Sequence, residues 1–241
     1  MANHMGAISS YFSTIIMVVL YLGRMGATHN IHIRECKRRE RGVDLFIFGD
    51  SYYDVGNNNY INTFTLDQAN LWPNGQSYFK SPTGRFSDDR LISDFIAEHA
   101  NIPEPPPFLQ PQNEQDYSNG ANFASAGAGS LVETFEGAVI DLKTQLNNFK
   151  KLKTSLRAKL GYSKSDKILR SVVYLIGIGT KDYLSPFLTN STVLSVYSPP
   201  QYIQMVIGNL TSMVQVSRKG ERRVVAQGDL EEYIAVEERG Q

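Results

Sequence analysis

The chain has 241 residues, a length that suits one globular domain or at most two small ones. Its 24 basic and 24 acidic residues cancel, so the overall charge gives no reason to expect a nucleic acid or an anionic membrane surface as partner. With 41% hydrophobic residues the chain can bury a core, and its single cysteine, Cys36, excludes an intrachain disulfide.

Residues 1–28 have the pattern of a secretory signal peptide. The apolar run Ile15–Leu22 lies in an uncharged stretch and is followed by small residues, with cleavage expected near Gly26–His29. An uncleaved membrane anchor is the alternative, because the uncharged stretch approaches spanning length. After cleavage we expect residues 29–43 to form a charged mature N-terminus and no stable membrane anchor to remain.

Two further patterns bear on secretion and on metals. N-glycosylation sequons begin at Asn190 and Asn209, which fits a secreted glycoprotein. His29 and His32 lie near Cys36, but no second cluster completes a metal site, and we expect neither a metal nor an organic cofactor.

The first structured element predicted after the leader is a buried strand. Asp44–Phe48 is a short apolar run that ends at Gly49, and the stretch Gly49–Asn59 that follows is rich in turn-forming residues. Open parallel sheets place their active sites at the carboxyl ends of such strands. Asp88–His99 then has the spacing of an amphipathic helix, whose expected buried face carries Leu91, Ile92, Phe95 and Ile96.

The remaining elements alternate between strands and helices. The predicted strands are Gly120–Ala128 with its turn, Ser171–Gly177 and Arg223–Ala226, and the predicted helices are Val139–Leu156 and Pro199–Val216. This alternation predicts an α/β domain with a doubly wound parallel sheet over residues 44–226, followed by a divergent tail, 227–241.

Ser51 is the first candidate for chemistry. It follows a buried strand and Gly49-Asp50, where a sharp turn can project a side chain from the sheet edge. A serine placed in this way can act as a nucleophile if a base removes its proton, although a turn or helix-capping serine is the more common case. Asp50 and Asp54 flank Ser51 and are expected to fix the loop rather than to transfer protons.

Four ordered blocks of sequence carry a family resemblance. These are FIFGDSYYDVGNNN, PTGRFSDDR, NFASAGAG and YLIGIGTKDY, which begin at Phe46, Pro82, Asn122 and Tyr174. They resemble the plant GDSL esterases and lipases of the SGNH hydrolase superfamily, with Tyr52 in place of the leucine that gives the family its name. The resemblance implies a flavodoxin-like, three-layer α/β/α fold, here incomplete, and a secreted location in the cell wall or apoplast.

The same resemblance implies the roles of individual residues. Ser51 matches the nucleophile, and its backbone amide and that of Gly127 match two donors of the oxyanion hole. Gly127 also fits simple backbone clearance. Lys181 occupies the position of the family's asparagine, the third donor, and we expect it to turn to solvent or to pair with an acid such as Asp182. The family's Asp-x-x-His block, which supplies the catalytic acid and base, has no counterpart, because no histidine follows His99.

Two functional hypotheses therefore stay open. The first is a serine ester hydrolase that acts on a small acyl ester or lipid through an acyl-enzyme on Ser51. The second is a catalytically inactive, truncated family member or a secreted binding protein without turnover. His99, at the end of a predicted helix, is expected to interact with the helix dipole. A nucleotide-binding module is disfavoured because no phosphate-cradling glycine motif follows the first strand.

Overall fold

The computed structural model describes residues 45–111, 117, 120–189, 192–218, 224–227 and 234–235. The predicted leader, the charged segment 29–43 and the sequon at Asn190 lie outside these residues. The proposed domain boundaries at residues 28, 43 and 226 remain predictions.

The central sheet has the strand order β2-β1-β3-β4-β5. Strand β1 (Leu45–Gly49) lies between β2 (Gly120–Asn122) and β3 (Val173–Gly177), and both pairings are parallel. Strand β4 (Val224–Gln227) continues the parallel part beside β3, and β5 (Ile234–Ala235) pairs antiparallel with β4. The order of the four parallel strands is that of flavodoxin-like sheets.

Six helices connect and flank these strands in the described part of the chain. They are α1 (Ile92–His99), α2 (Leu142–Leu160), α3 (Tyr162–Ser171), α4 (Thr180–Leu188), α5 (Val193–Val196) and α6 (Pro199–Arg218). No helix within the described ranges is long and apolar enough to cross a membrane.

Strand β1 is buried on both faces, as expected for the inner strand of a parallel sheet. Phe46 and Phe48 point into an aromatic core together with Phe149 of α2, whose ring lies 5.4 Å from Phe46 and 5.8 Å from Phe48, centroid to centroid. Leu45 and Ile47 point to the opposite face, into a second cluster. Side chains alternate between the two faces along a strand, so the continuous apolar run Leu45–Phe48 supplies both cores.

Most predicted elements are confirmed with small shifts at their ends. The structure places the third predicted strand at Val173–Gly177 and the long helices at Leu142–Leu160 and Pro199–Arg218. The predicted fourth strand is found at Val224–Gln227. Helices α3 to α5 and strand β5 were not predicted from the sequence.

The predicted buried face of α1 is confirmed only at Leu91, which is buried, and is wrong for the other three residues. Ile92, Phe95 and Ile96 are exposed, whereas Ser93, Asp94 and Ala97 are buried. The cause is Arg85, a buried residue in the preceding loop. Its guanidinium binds both carboxylate oxygens of Asp94, with N–O distances of 2.8 and 2.9 Å. Because a buried arginine needs a charged partner, this ion pair determines which face of α1 turns inward.

Candidate active site

The carboxyl ends of β1, β2 and β3 meet at one edge of the sheet and carry the three predicted site segments. Backbone hydrogen bonds join these ends directly. The Asp50 N–H donates to the Gly177 carbonyl at 3.2 Å, and the Ser125 N–H donates to the Gly49 carbonyl at 3.0 Å. The turn with Ser51 is therefore attached to the segments that follow β2 and β3.

Two glycines allow this close approach. A Cβ atom at Gly177 would lie 2.1 Å from Cε2 of Tyr53, and one at Gly49 would lie 2.5 Å from the Gly177 carbonyl oxygen. The Tyr53 ring, which is buried, occupies the space beside both glycines. Any side chain at either position would push the strand ends apart.

Ser51 lies at the start of the turn and is partly buried. The turn is held by its neighbour Asp50, whose Oδ1 accepts from the Tyr52 N–H at 3.1 Å and whose carbonyl accepts from the Asp54 N–H at 3.0 Å. Among the described residues, neither the hydroxyl nor the backbone N–H of Ser51 has a hydrogen-bond partner. Both groups are therefore available to a ligand.

Asp54 fixes the rest of this loop, as expected for a loop-capping acid. Its carboxylate is fully buried and accepts from the N–H groups of Gly56 at 2.8 Å, Asn57 at 2.6 Å and Ala126 at 2.9 Å. Burial raises the pKa of Asp54 to about 6, although the backbone hydrogen bonds oppose this effect. The bond to Ala126 ties the Ser51 loop to the loop that contains Gly127.

Two buried asparagines reinforce the same connection. The Asn57 amide donates to the carbonyls of Asn122 and Ala124, both at 2.9 Å. The Asn58 amide donates to the Ala126 carbonyl at 2.9 Å. The sequence analysis assigned these side chains no role beyond turn formation. The sequence does contain a signal for them, because a run of asparagines follows a predicted buried strand. Asparagine side chains in such a loop can form hydrogen bonds with buried backbone groups.

Gly127 has φ = +83°, a conformation that favours glycine. A Cβ atom there would lie 2.8 Å from Cγ1 of Val139 and 3.0 Å from Cγ of Asp67, so backbone clearance is a real constraint at this position. The Gly127 N–H donates no hydrogen bond to any residue in the described ranges. Gly127 therefore fits both interpretations: a side chain there would collide with its neighbours, and its N–H has no acceptor among the described residues.

Lys181 lies in the first turn of α4, just after β3, and is partly exposed. Burial raises the pKa of the Asp67 carboxyl, and the positive charge of Lys181 opposes this rise. Because Asp67 is also adjacent to Gly127, the charge of Lys181 acts on the same part of the site. The sequence analysis did not identify Asp67, and its position in an irregular loop gave no signal.

The expected pairing of Lys181 with Asp182 is not found. The Asp182 carboxylate is buried and accepts from the Ser130 N–H at 2.7 Å, the Leu131 N–H at 3.0 Å and the Thr134 hydroxyl at 2.6 Å. Burial raises its pKa while these hydrogen bonds oppose the rise. Asp182 therefore anchors the segment after Gly129, and it holds the first turn of α4 in place beneath Lys181.

Gln145 of α2 supports the site from below. Its side chain is fully buried. Oε1 accepts from the Gly49 N–H at 3.0 Å, and Nε2 donates to the Gly49 carbonyl at 2.9 Å and to the Ile140 carbonyl at 2.8 Å. The sequence analysis missed this residue. It lies three residues after Leu142, on the apolar face of a predicted helix. A polar residue on such a face indicates a buried side chain with hydrogen-bond partners.

Other predicted site residues lie elsewhere or outside the description. His99 is exposed at the end of α1, whereas His4, His29 and His32 are outside the described residues. Among the residues that the structure describes, no group of three or more metal-ligating side chains is close enough to hold an ion. Asn209 lies on α6, and its Nδ2 donates to the Ser130 carbonyl at 2.9 Å.

A parallel α/β sheet with a serine on the turn after its first strand, beside N–H groups that no described residue accepts, is an arrangement typical of α/β hydrolases. The family comparison agrees with this class. The model of the GDSL-like lipase/acylhydrolase family matches residues 45–231, and the chain belongs to this family.

Several curated plant proteins are similar to the chain. GDSL esterase/lipase 5 of Arabidopsis thaliana is 58% identical over 170 residues, which cover 70% of this chain and 44% of that protein. A GDSL lipase of Tanacetum cinerariifolium is 48% identical over 189 residues, which cover 78% of this chain and 49% of that protein. The chain spans about half the length of the curated relatives it matches.

Proposed function

We propose that Ser51 is the nucleophile of a GDSL-type ester hydrolase and that its substrate is a small acyl ester or a lipid. The observation that carries the proposal is a pair of N–H groups, on Ser51 and Gly127, that no described residue accepts. They lie in two loops that Asp54 and the Ala126 N–H tie together. Buried polar groups are normally paired, so donors left available at one sheet edge suit a ligand oxygen that develops negative charge.

The proposed reaction is acyl transfer in two steps. The Ser51 oxygen attacks the ester carbonyl carbon, and the carbonyl oxygen becomes an oxyanion that accepts from the Ser51 and Gly127 N–H groups. The carbon–oxygen bond to the alcohol then breaks, and the alcohol leaves with the proton that Ser51 gave up. Water hydrolyses the resulting acyl-enzyme and restores the serine.

Lys181 is proposed as a third donor to the oxyanion. Its charge already acts on the carboxyl group of Asp67, which lies beside Gly127. If this role is correct, Lys181→Met should slow the reaction of Ser51 by about 10²-fold, whereas Lys181→Asn should retain part of the rate because an amide can also donate. Equal losses in both variants would contradict a donor role.

The described residues supply no base for Ser51. No histidine follows His99 in the sequence, and no described side chain accepts from the Ser51 hydroxyl. A serine without a base is a weak nucleophile. We therefore propose that these 241 residues alone turn over esters slowly. The second candidate, a secreted binding protein that holds an acyl ester without turnover, is supported by the same absence.

The experiment that tests the proposal is hydrolysis of a short-chain nitrophenyl ester by the purified chain with and without added imidazole. Imidazole supplies the missing base in solution, so hydrolysis above that of the matched Ser51→Ala variant should appear or rise with imidazole concentration. In parallel, a fluorophosphonate should add one phosphonyl group per chain, which peptide mass mapping should locate on Ser51.

The two outcomes separate the candidates, provided that circular dichroism shows both proteins to be folded. Hydrolysis or labelling that depends on Ser51 supports the hydrolase. Rates equal to Ser51→Ala at every imidazole concentration, with no adduct on Ser51, would contradict it. In that case retained binding of a short acyl ester would favour the non-catalytic protein.

Secretion is proposed on the leader and the sequons alone. Expression of the whole chain in a secretory host should give a mature protein that begins near residue 29. Asn209 should carry a glycan that an endoglycosidase removes. An intact residue 1–28 segment in a membrane fraction would instead support the anchor.

A further inference from the structure

Helices α2 and α3 concentrate the positive charge of a chain that has no net charge. Residues 142–171 contain one acidic residue, Asp166, and nine basic residues. Seven of the nine are exposed, namely Lys143, Lys150, Lys151, Lys159, Lys164, Lys167 and Arg170. Elsewhere among the described side chains, Lys80 is the only exposed lysine or arginine. We call the seven exposed residues the basic face.

Most of this charge is not neutralised within the protein. An ion pair between α2 and α3 joins Arg157 to Asp166 at 2.9 Å, and neither residue belongs to the basic face. Lys150 and Lys151 reach only the neutral amide oxygens of Asn147 and Asn148, both at 3.4 Å. Like charges on neighbouring helical turns repel each other, so the basic face lowers the stability of the helices unless a partner supplies negative charge.

The surface between these charges is open and carries two hydroxyl side chains, Thr154 and Ser155. Lys150, Lys151, Thr154, Ser155 and Ala158 line a shallow depression of about 490 Å³ on α2. Cations beside hydroxyl groups can bind a carboxylate and the hydroxyls attached to the same molecule.

One exposed aromatic ring lies where the two helices meet. Tyr162 is 72% exposed, and its ring centroid lies 5.2 Å from the Arg157 guanidinium carbon. Among the described residues of α2 and α3, Tyr162 is the only large hydrophobic side chain that is exposed. A flat ring next to cations offers an apolar surface on which a sugar ring can lie.

We propose that the basic face binds an acidic polysaccharide, a polymer whose sugar units carry carboxylates. A lipid membrane fits less well, because stable surface binding also needs substantial apolar area and only Tyr162 offers it. A nucleic acid fits less well too, because six of the seven exposed cations are lysines, whereas the planar arginine fork is the preferred group for phosphates and bases.

Helix α2 begins near the active-site edge of the sheet, where its buried Gln145 holds Gly49. Helix α2 has 19 residues and is therefore about 28 Å long, enough for several sugar units. Lys143, in its first turn, precedes by two residues the Gln145 side chain that holds Gly49.

The test measures binding of the whole chain to polygalacturonate by calorimetry. The neutral control is the same polymer with its carboxylates reduced to alcohols. We expect binding to the acidic polymer only, and its loss in about 0.5 M salt, where screening acts over a few ångströms. A quadruple variant, K143Q/K150Q/K151Q/K159Q, should bind about tenfold more weakly or worse, because the contributions of exposed charges are small but additive.

Two single variants provide the matched control. Lys150→Gln should weaken binding measurably, whereas Lys80→Gln, which removes an exposed cation outside the basic face, should not. All substituted lysines are exposed and removing like charges relieves repulsion, so no variant should unfold at a lower temperature than the parent. Three results would overturn the proposal: equal binding to the neutral polymer, an unchanged affinity of the quadruple variant, or tighter binding to duplex DNA or to phosphatidylserine vesicles.

Discussion

Replacing Gln145 by methionine should destabilise the protein strongly without leaving a cavity. Methionine has a similar length and no strong donor or acceptor, so the change removes the hydrogen bonds and little else. The Gly49 N–H and the Ile140 carbonyl would lose their partner, whereas the Gly49 carbonyl keeps the Ser125 N–H at 3.0 Å. Two buried groups without partners cost about 1–3 kcal/mol each.

We expect the free energy of unfolding to fall by about 3 kcal/mol, since the added apolar surface of methionine offsets part of the loss. For a domain of this size that corresponds to a fall in melting temperature of about 10 °C. Urea unfolding and thermal melts measure both quantities. Leu152→Met, on the buried face of the same helix, is the control and should cost less than about 1.5 kcal/mol. A loss for Gln145→Met no greater than that of the control would refute the reasoning.

Three other substitutions test the loops of the site and the packing of α1. Asp54→Asn should destabilise by about 2 kcal/mol, because an amide cannot accept all three N–H groups. The raised pKa of Asp54 adds a pH effect. The part of the stability that is linked to the proton on Asp54 is full below about pH 4 and is lost as the pH rises through about 6. Urea unfolding should therefore show the parent losing stability relative to Asp54→Asn over this range. Asp94→Asn should cost about 2 kcal/mol in urea unfolding, since the buried guanidinium of Arg85 then keeps only the partly exposed Glu104 as a charged partner, and a cost under 1 kcal/mol would contradict this. Gly127→Ala should lower both stability and phosphonate labelling of Ser51, because its Cβ would lie 2.8 Å from a Val139 methyl group; unchanged labelling would contradict the proposed place of Gly127 in the site.

The sequence predicted the strands and the strand-end loops well because both depend on local patterns. Leu45–Phe48 is apolar at every position, which specifies a strand buried on two faces whatever packs against it. Glycine and asparagine then mark the turn that must follow. The location of Ser51 at the sheet edge needed no knowledge of the rest of the chain.

The failures involve contacts between distant segments. The buried face of α1 depends on Arg85, and the hydrophobic spacing of the helix gives no sign of that partner. The carboxylate of Asp182 faces Ser130 and Thr134, about fifty residues earlier in the chain, rather than its neighbour Lys181. A buried polar side chain takes the partner that the fold brings to it, and sequence distance carries little information about that choice.

The packing of Tyr53 against Gly49 and Gly177 has a consequence for how this site can evolve. A side chain introduced at Gly177 collides with the ring, and a smaller residue at position 53 leaves an empty space beside two bare strand ends. Each of these substitutions made alone should destabilise the protein, yet Tyr53→Ala should partly rescue Gly177→Ala. The three residues are therefore expected to form one epistatic unit, in which a lineage keeps all of them or exchanges them together.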